Sequence, residues 1–250
     1  MIERISAEDE TLLQQYVEEG GGLVVTPGGE SGAAVAATYN AALSPWKIRI
    51  GWEVVRDDAN PVKDPQDPRK LLDYSWTKNI TASPLTQGVR ALAYPTCTMR
   101  WDDIYPNVPL FLDDPAWQVL VRGEKTSKGM RMGDKYKMRD ADAGTAPVMA
   151  AVREAGKGRV AAIGLIPFYV ITHAYVEKDE KGNRFNSLGE CTTGPMEGIA
   201  CEKGDGQTPS DWGTLLDNMI RWASESSAKA GLGGRILGVH FYNPPAVQKL

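Results

Sequence analysis

One pentapeptide has the makings of a nucleophile: Gly29-Glu30-Ser31-Gly32-Ala33. It follows the apolar run Leu23-Val24-Val25-Thr26 and precedes Ala33 to Leu43, a small-residue stretch that predicts a helix. A serine in such a strand-to-helix turn is held clear of the backbone, and the N–H groups that open the helix can receive an oxyanion. Ala33 stands where the full pattern has glycine. The plainer reading of Ser31 is a helix cap after a glycine turn. His173, within Tyr169-Val170-Ile171-Thr172-His173-Ala174-Tyr175, follows another apolar run and has the chemistry of a general base near neutral pH. Asp102 and Asp103, between Trp101 and Tyr105, are the carboxylates best set to orient that imidazole, with Asp103 preferred. Ser31, Asp103 and His173 come in the chain order of the α/β-hydrolases. The expectation is a hydrolase of a small ester, lactone or amide with a serine nucleophile. Its alternative is a non-catalytic domain that binds a ligand such as a saccharide, or serves as a scaffold in a larger protein.

Other residues offer weaker chemistry. Asp140-Ala141-Asp142-Ala143-Gly144 spaces two carboxylates like the start of a calcium loop, so Asp140 and Asp142 are candidate Ca2+ ligands. The third ligand and the closing glutamate of a full loop are missing. Cys97 could pair with His173 as a thiol–imidazole dyad, but nothing beside it would lower its pKa. Cys191 and Cys201 are either a small disulfide or two reduced thiols. Three cysteines and two histidines exclude a disulfide scaffold, a four-cysteine zinc site and a multi-histidine metal centre. Trp46, Trp52, Trp76 and Trp101 could form a sugar-stacking platform or plug the edges of the core. No G-x-G-x-x-G or phosphate-binding loop occurs, so no organic cofactor is expected.

The elements that must position these groups are read from periodicity. Ser6, with Asp9 three residues on, predicts a helix start, and Leu12, Leu13, Tyr16 and Val17 give the helix one apolar face. Gly20-Gly21-Gly22 ends it. Residues 47–54 alternate and predict one strand with Ile48, Ile50, Trp52 and Val54 on a face. The proline-rich, charged stretch 57–69 predicts an exposed loop, and 177–207 a long surface excursion. Strands are expected at 91–94 and 117–121, and a glycine-turned hairpin at 147–152 and 159–165. Thr208-Pro209-Ser210-Asp211 opens a last helix with a stripe of Trp212, Leu215, Leu216, Met219, Ile220 and Ala223. Residues 1–227 are expected to form one domain and 228–250 an extended tail, through which the chain could dock a partner or a second copy.

Of 250 residues, 42% are hydrophobic and 24% charged, as in ordinary globular chains. The longest apolar window is broken by Gly164 and Pro167, short of the roughly 18 residues a membrane span needs. A net charge of −4 speaks against nucleic acid as a partner. The first residues carry no signal-peptide pattern, and a soluble chain is expected.

Several phrases line up with a known superfamily. They are LLQQYVEEGGGLVVTPGG, ITASPLTQGVRAL, GKGRVAAIG and WGTLLDNMIRWAS, spread over roughly residues 5–226. Together they resemble the class I glutamine amidotransferase-like superfamily, including its trehalose-utilisation (ThuA-like) relatives. The resemblance implies an α/β, flavodoxin-like three-layer sandwich: a mostly parallel sheet with an antiparallel edge hairpin, its first strand or strands lying before Met1. Glutamine hydrolysis is not implied. Cys97 lacks the flanking glycines of the family's elbow, and His173 is followed at the second position by Tyr175 instead of glutamate.

Overall fold

The structure, a computed structural model, describes residues 6–27, 33–64, 69, 71–96, 105–132, 138–166, 177–178, 184–185, 191–192 and 204–240. The chain opens with α1 (Ala7–Glu18), β1 (Gly22–Thr26) and α2 (Ala33–Leu43). Next come β2 (Ile48–Ile50), β3 (Val54–Arg56), β4 (Pro61–Lys63), β5 (Leu71–Thr77), β6 (Leu92–Pro95), β7 (Leu110–Leu112) and β8 (Gln118–Arg122). They are followed by β9 (Lys128–Met132), β10 (Met138–Thr145), β11 (Val148–Ala155) and β12 (Gly158–Ile163). Three two-residue strands, β13 (Glu177–Lys178), β14 (Arg184–Phe185) and β15 (Cys191–Thr192), precede α3 (Trp212–Lys229) and β16 (Ile236–His240).

The main sheet has the order β16-β1-β12-β11-β7-β2, with β8 also on β11. Strand β1 pairs in parallel with β12 and β16, and every other strand pairing among the described residues is antiparallel. Three further sheets, β10-β9-β3, β4-β5-β6 and β13-β14-β15, are wholly antiparallel. The expected flavodoxin-like, mostly parallel three-layer sandwich is therefore overturned: the described fold is mostly β, with three α-helices. The reason lies in the connections. A parallel neighbour needs a crossover of a dozen or more residues, usually helical. Between β2 and β12 the described chain has strands, short loops and a single 3₁₀ turn at Pro84–Thr86.

Strand β1 is buried at all five positions, as a strand must be when both its faces are covered. Leu23 and Val25 point into one cluster with Val17 of α1, Leu43 of α2, Trp46, Val160 and Ala162. Val24 points into the other, with Ala161, Ile163, and Trp212, Leu215, Met219 and Ala223 of α3. The last-helix stripe is thus seated as its spacing predicts.

Helix α1 begins as expected, with the Ser6 side chain accepting the Asp9 N–H at 3.0 Å. It ends in a double turn: Gly20 N–H donates to Val17 and Gly21 N–H to Tyr16. Gly20 has φ +119°, a backbone that side chains resist. The β11–β12 hairpin forms with Gly156 (φ +59°) opening its two-residue loop.

Other expectations are corrected. The single strand over 47–54 breaks at Gly51, whose N–H donates to the Pro109 carbonyl at 2.8 Å and whose α-carbon leaves no room for a side chain against Pro109. The chain turns there, and β3 joins β9 instead of the main sheet. The stretch 57–69 is not simply an exposed loop. Asp57 is buried, its carboxylate accepting from Ala59 N–H, Asn60 and Thr126, and β4 pairs with β5. The expected tail after 227 enters the fold: α3 runs to Lys229, and β16 lies beside β1 with Val24 opposite Gly238.

Candidate functional site

The parallel strands fix one edge of the main sheet. Thr26 at the end of β1 lies opposite His240 at the end of β16, and Val25 lies opposite Ala162 of β12. Just beyond β12, Gly164 accepts the Val108 N–H at 2.7 Å, Leu165 bridges Asn107, and Ile166 N–H donates to Pro106 at 2.9 Å. Pro27, Tyr105–Val108 and Gly164–Ile166 thus gather at the carboxyl ends of the parallel strands. Ligands of open α/β sheets bind at such ends.

Ser31, Asp102, Asp103, His173 and Cys97 lie outside the described residues, as do Trp101 and Cys201. The chain on either side of them is described. Pro27 and Ala33 flank the segment with Ser31, Thr96 and Tyr105 the segment with Asp102 and Asp103, and Ile166 precedes the segment with His173. Helix α2, which begins two residues after Ser31, carries no acidic residue in its first turn. The first turn of α1, by contrast, carries Glu8, Asp9 and Glu10, which face its positive end.

Asp140 and Asp142, the candidate calcium ligands, lie on a strand. They project from β10, which pairs with β9, and each already has a cation: Lys128 Nζ at 3.2 Å from Asp140 and an Arg131 guanidinium nitrogen at 3.3 Å from Asp142. Among the described residues no cluster of three His, Cys, Asp or Glu side chains could hold a metal. Among the described tryptophans, Trp46, Trp52 and Trp76 do not share one platform. Trp46 and Trp52 belong to one core cluster and Trp76 to the other. The Trp46 carbonyl accepts the Trp117 indole N–H at 2.7 Å, and Arg131 stacks over Trp52 at 5.0 Å.

Glu53 is not among the residues singled out from the sequence. It is fully buried, with one carboxylate oxygen accepting the Ala143 N–H at 2.9 Å and the other without a partner among the described residues. Ala143 lies where the β9–β10 register shifts, so Glu53 satisfies a bulge. Burial pushes its carboxyl up from the ordinary value near 4.5; the Ala143 N–H and then Arg131 pull the other way. Asn107 is also fully buried, and both atoms of its side-chain amide lack a partner among the described residues. A carboxylate inside an apolar run, Trp52-Glu53-Val54-Val55, was the only signal available. On the surface, the Arg49 hydrogen bond holds the Asp113 carboxyl below its ordinary range.

No helix among the described residues is long and apolar enough to cross a membrane. The sequence matches no protein-family model and no curated protein. Among solved structures the chain is similar to the mmIFT52 N-terminal domain, with a TM-score of 0.43 and 13% identity over 67% of this chain. The match spans 63% of that solved chain. A likeness of that size decides neither fold nor function.

Proposed function

We propose that the chain acts on a small ester, lactone or amide at the carboxyl edge of β16, β1 and β12, with Ser31 as nucleophile. The observation that supports this reading is the convergence of described chain at that edge: Pro27, Tyr105 and Ile166, the residues bordering the three segments that carry Ser31, Asp103 and His173, all stand there. In this reading His173 takes the proton as Ser31 Oγ bonds to the carbonyl carbon, and Asp103 orients the imidazole. The carbonyl oxygen gains negative charge facing the N–H groups that open α2, whose first turn holds no acidic residue. Collapse expels the alcohol or amine, which receives the proton from His173, and water then releases the acid by the same route.

The test is hydrolysis of a short-chain chromogenic ester and of a lactone by the wild type and by Ser31→Ala. Loss of about a thousandfold or more in turnover, with an unchanged circular dichroism spectrum, is the expected result. Full activity in Ser31→Ala rules out the serine. Absence of turnover in the wild type rules out the hydrolase and leaves a non-catalytic ligand-binding domain, which calorimetry with saccharides then examines.

A further inference from the structure

The two ends of the main sheet are finished differently. At one end, β2 is three residues long, and the Asn40 side-chain amide covers its outer edge by accepting the Ile50 N–H at 2.7 Å and donating to the Ile50 carbonyl at 3.0 Å. Arg49 adds a charge, paired with Asp113. These are standard devices for stopping a sheet. At the other end stands β16, Ile236-Leu237-Gly238-Val239-His240, with no Lys, Glu, Asp or Pro in the strand and, among the described residues, no strand on its outer side.

Beside that bare edge lies an apolar groove of about 710 Å³ lined by Asp9, Leu12, Leu13, Tyr16, Arg235, Ile236 and Leu237. Leu12 is 55% exposed and Leu237 42%, two of the three exposed large hydrophobic side chains among the described residues. Leu12 belongs to the α1 stripe, which therefore presents part of its apolar face outward. An unpaired strand edge flanked by exposed leucines is the signature of an interface.

We propose that the occupant is a second copy of this chain, with β16 pairing antiparallel to its counterpart about a two-fold axis through Gly238. That register sets Ile236 opposite His240 and Leu237 opposite Val239, so all five strand residues gain a partner. A two-fold axis normal to the sheet keeps both α1 helices on the same face and turns the two grooves toward each other. Leu12 and Leu237 of each copy are then covered together. The groove rim carries an acid, Asp9, and a base, Arg235, so the surface complements itself in charge and favours no partner of a single sign. Such isologous contacts are the commonest way soluble chains assemble.

Sedimentation equilibrium of the full chain is expected to give twice the 27.2 kDa chain mass. The double variant Leu12→Glu, Leu237→Lys is expected to give a single chain mass with an unchanged circular dichroism spectrum, because both side chains are exposed. The register has its own test in a chain whose Cys97, Cys191 and Cys201 are replaced by serine. An added Cβ at Gly238 meets open space, and residues opposed across an antiparallel pair have α-carbons about 4.5–5.5 Å apart, within disulfide reach. Gly238→Cys should therefore give a covalent dimer on mild oxidation. Leu237→Cys, whose copies stand roughly 8 Å apart by strand rise and spacing, should not. A monomeric wild type overturns the proposal, and so does a dimer that survives the double variant. A monomer whose β16 amides resist hydrogen exchange also overturns it, and assigns the edge to another segment of the same chain.

Discussion

Asp211 offers a sharp test of how α3 is held. By position it is the residue before the helix, where an aspartate ordinarily caps the first turn. In the structure it makes no such bond. Its carboxylate turns outward to accept the Arg90 N–H at 2.8 Å, the Ala91 N–H at 3.4 Å and the Arg90 guanidinium at 3.4 Å. Its own N–H donates to Ala91, Ser210 Oγ accepts the Ala93 N–H, and the Trp212 indole donates to the Ala93 carbonyl at 2.8 Å. Residues 210–212 thus tie the helix entrance to the start of β6. The 2.8 Å bond is charge-assisted and worth about 1.5–3 kcal/mol, and Asp211→Ala also strands a backbone donor at a cost of about 1–3 kcal/mol. The Arg90 ion pair adds little, since the guanidinium is largely exposed. A total loss near 3 kcal/mol is expected, or roughly 6–12 °C in Tm for a chain of this size. Urea unfolding followed by tryptophan fluorescence measures it. Asp211→Ser discriminates, because serine is an excellent cap but too short to hold Arg90 and Ala91. If Ser restores stability to within about 0.5 kcal/mol of wild type, the aspartate is an ordinary cap and the tether argument fails.

Glu53 and Asn40 give two more expectations. Because burial raises the Glu53 carboxyl above its ordinary value near 4.5, the native state keeps that proton to higher pH than the unfolded chain. Stability from this group is then greatest below 4.5 and falls as pH rises through the native value. Glu53→Gln, neutral throughout, should gain on wild type over that interval at up to about 1.4 kcal/mol per pH unit, and parallel urea-unfolding curves would exclude the effect. Asn40→Asp keeps an acceptor for the Ile50 N–H but faces the Ile50 carbonyl with no donor. It should cost about 1–3 kcal/mol at neutral pH, and equal Tm values for the variant and wild type would show that β2 is not capped this way.

Elements with strong local signals were legible in the sequence. Ser6 and the triple glycine bracket α1, the small-residue run is α2, and the apolar runs around Gly156 form the β11–β12 hairpin. What escaped has a physical reason in each case. Strand β10, Met-Arg-Asp-Ala-Asp-Ala-Gly-Thr, has no buried position, so it leaves no apolar alternation to read and looks like a metal loop. Strand β16 resembled a tail because its partner, β1, lies at the other end of the chain. Apolar runs do not reveal strand direction, and the preference for a parallel sheet failed for that reason. At the candidate site, Ser31, Asp103 and His173 were chosen by residue type and local context, which carry no information on mutual placement. Glu53 went unnoticed because its role depends on a bulge contributed by β9 and β10.

The position of β1 has a consequence for how the chain comes to be folded. Its neighbours are β12 and β16, and the Tyr16 hydroxyl just before it binds a carbonyl 219 residues further along. At ordinary synthesis rates that separation means about 10–40 s between emergence of the first partner and the last. Until β12 emerges Leu-Val-Val is an unpaired, β-prone segment with no mate in its own half of the chain, and one edge stays open until β16 follows. A strand buried at all five positions in the finished molecule thus waits for its last partner, and any lesion that delays residues 236–240 leaves its edge open to aggregation.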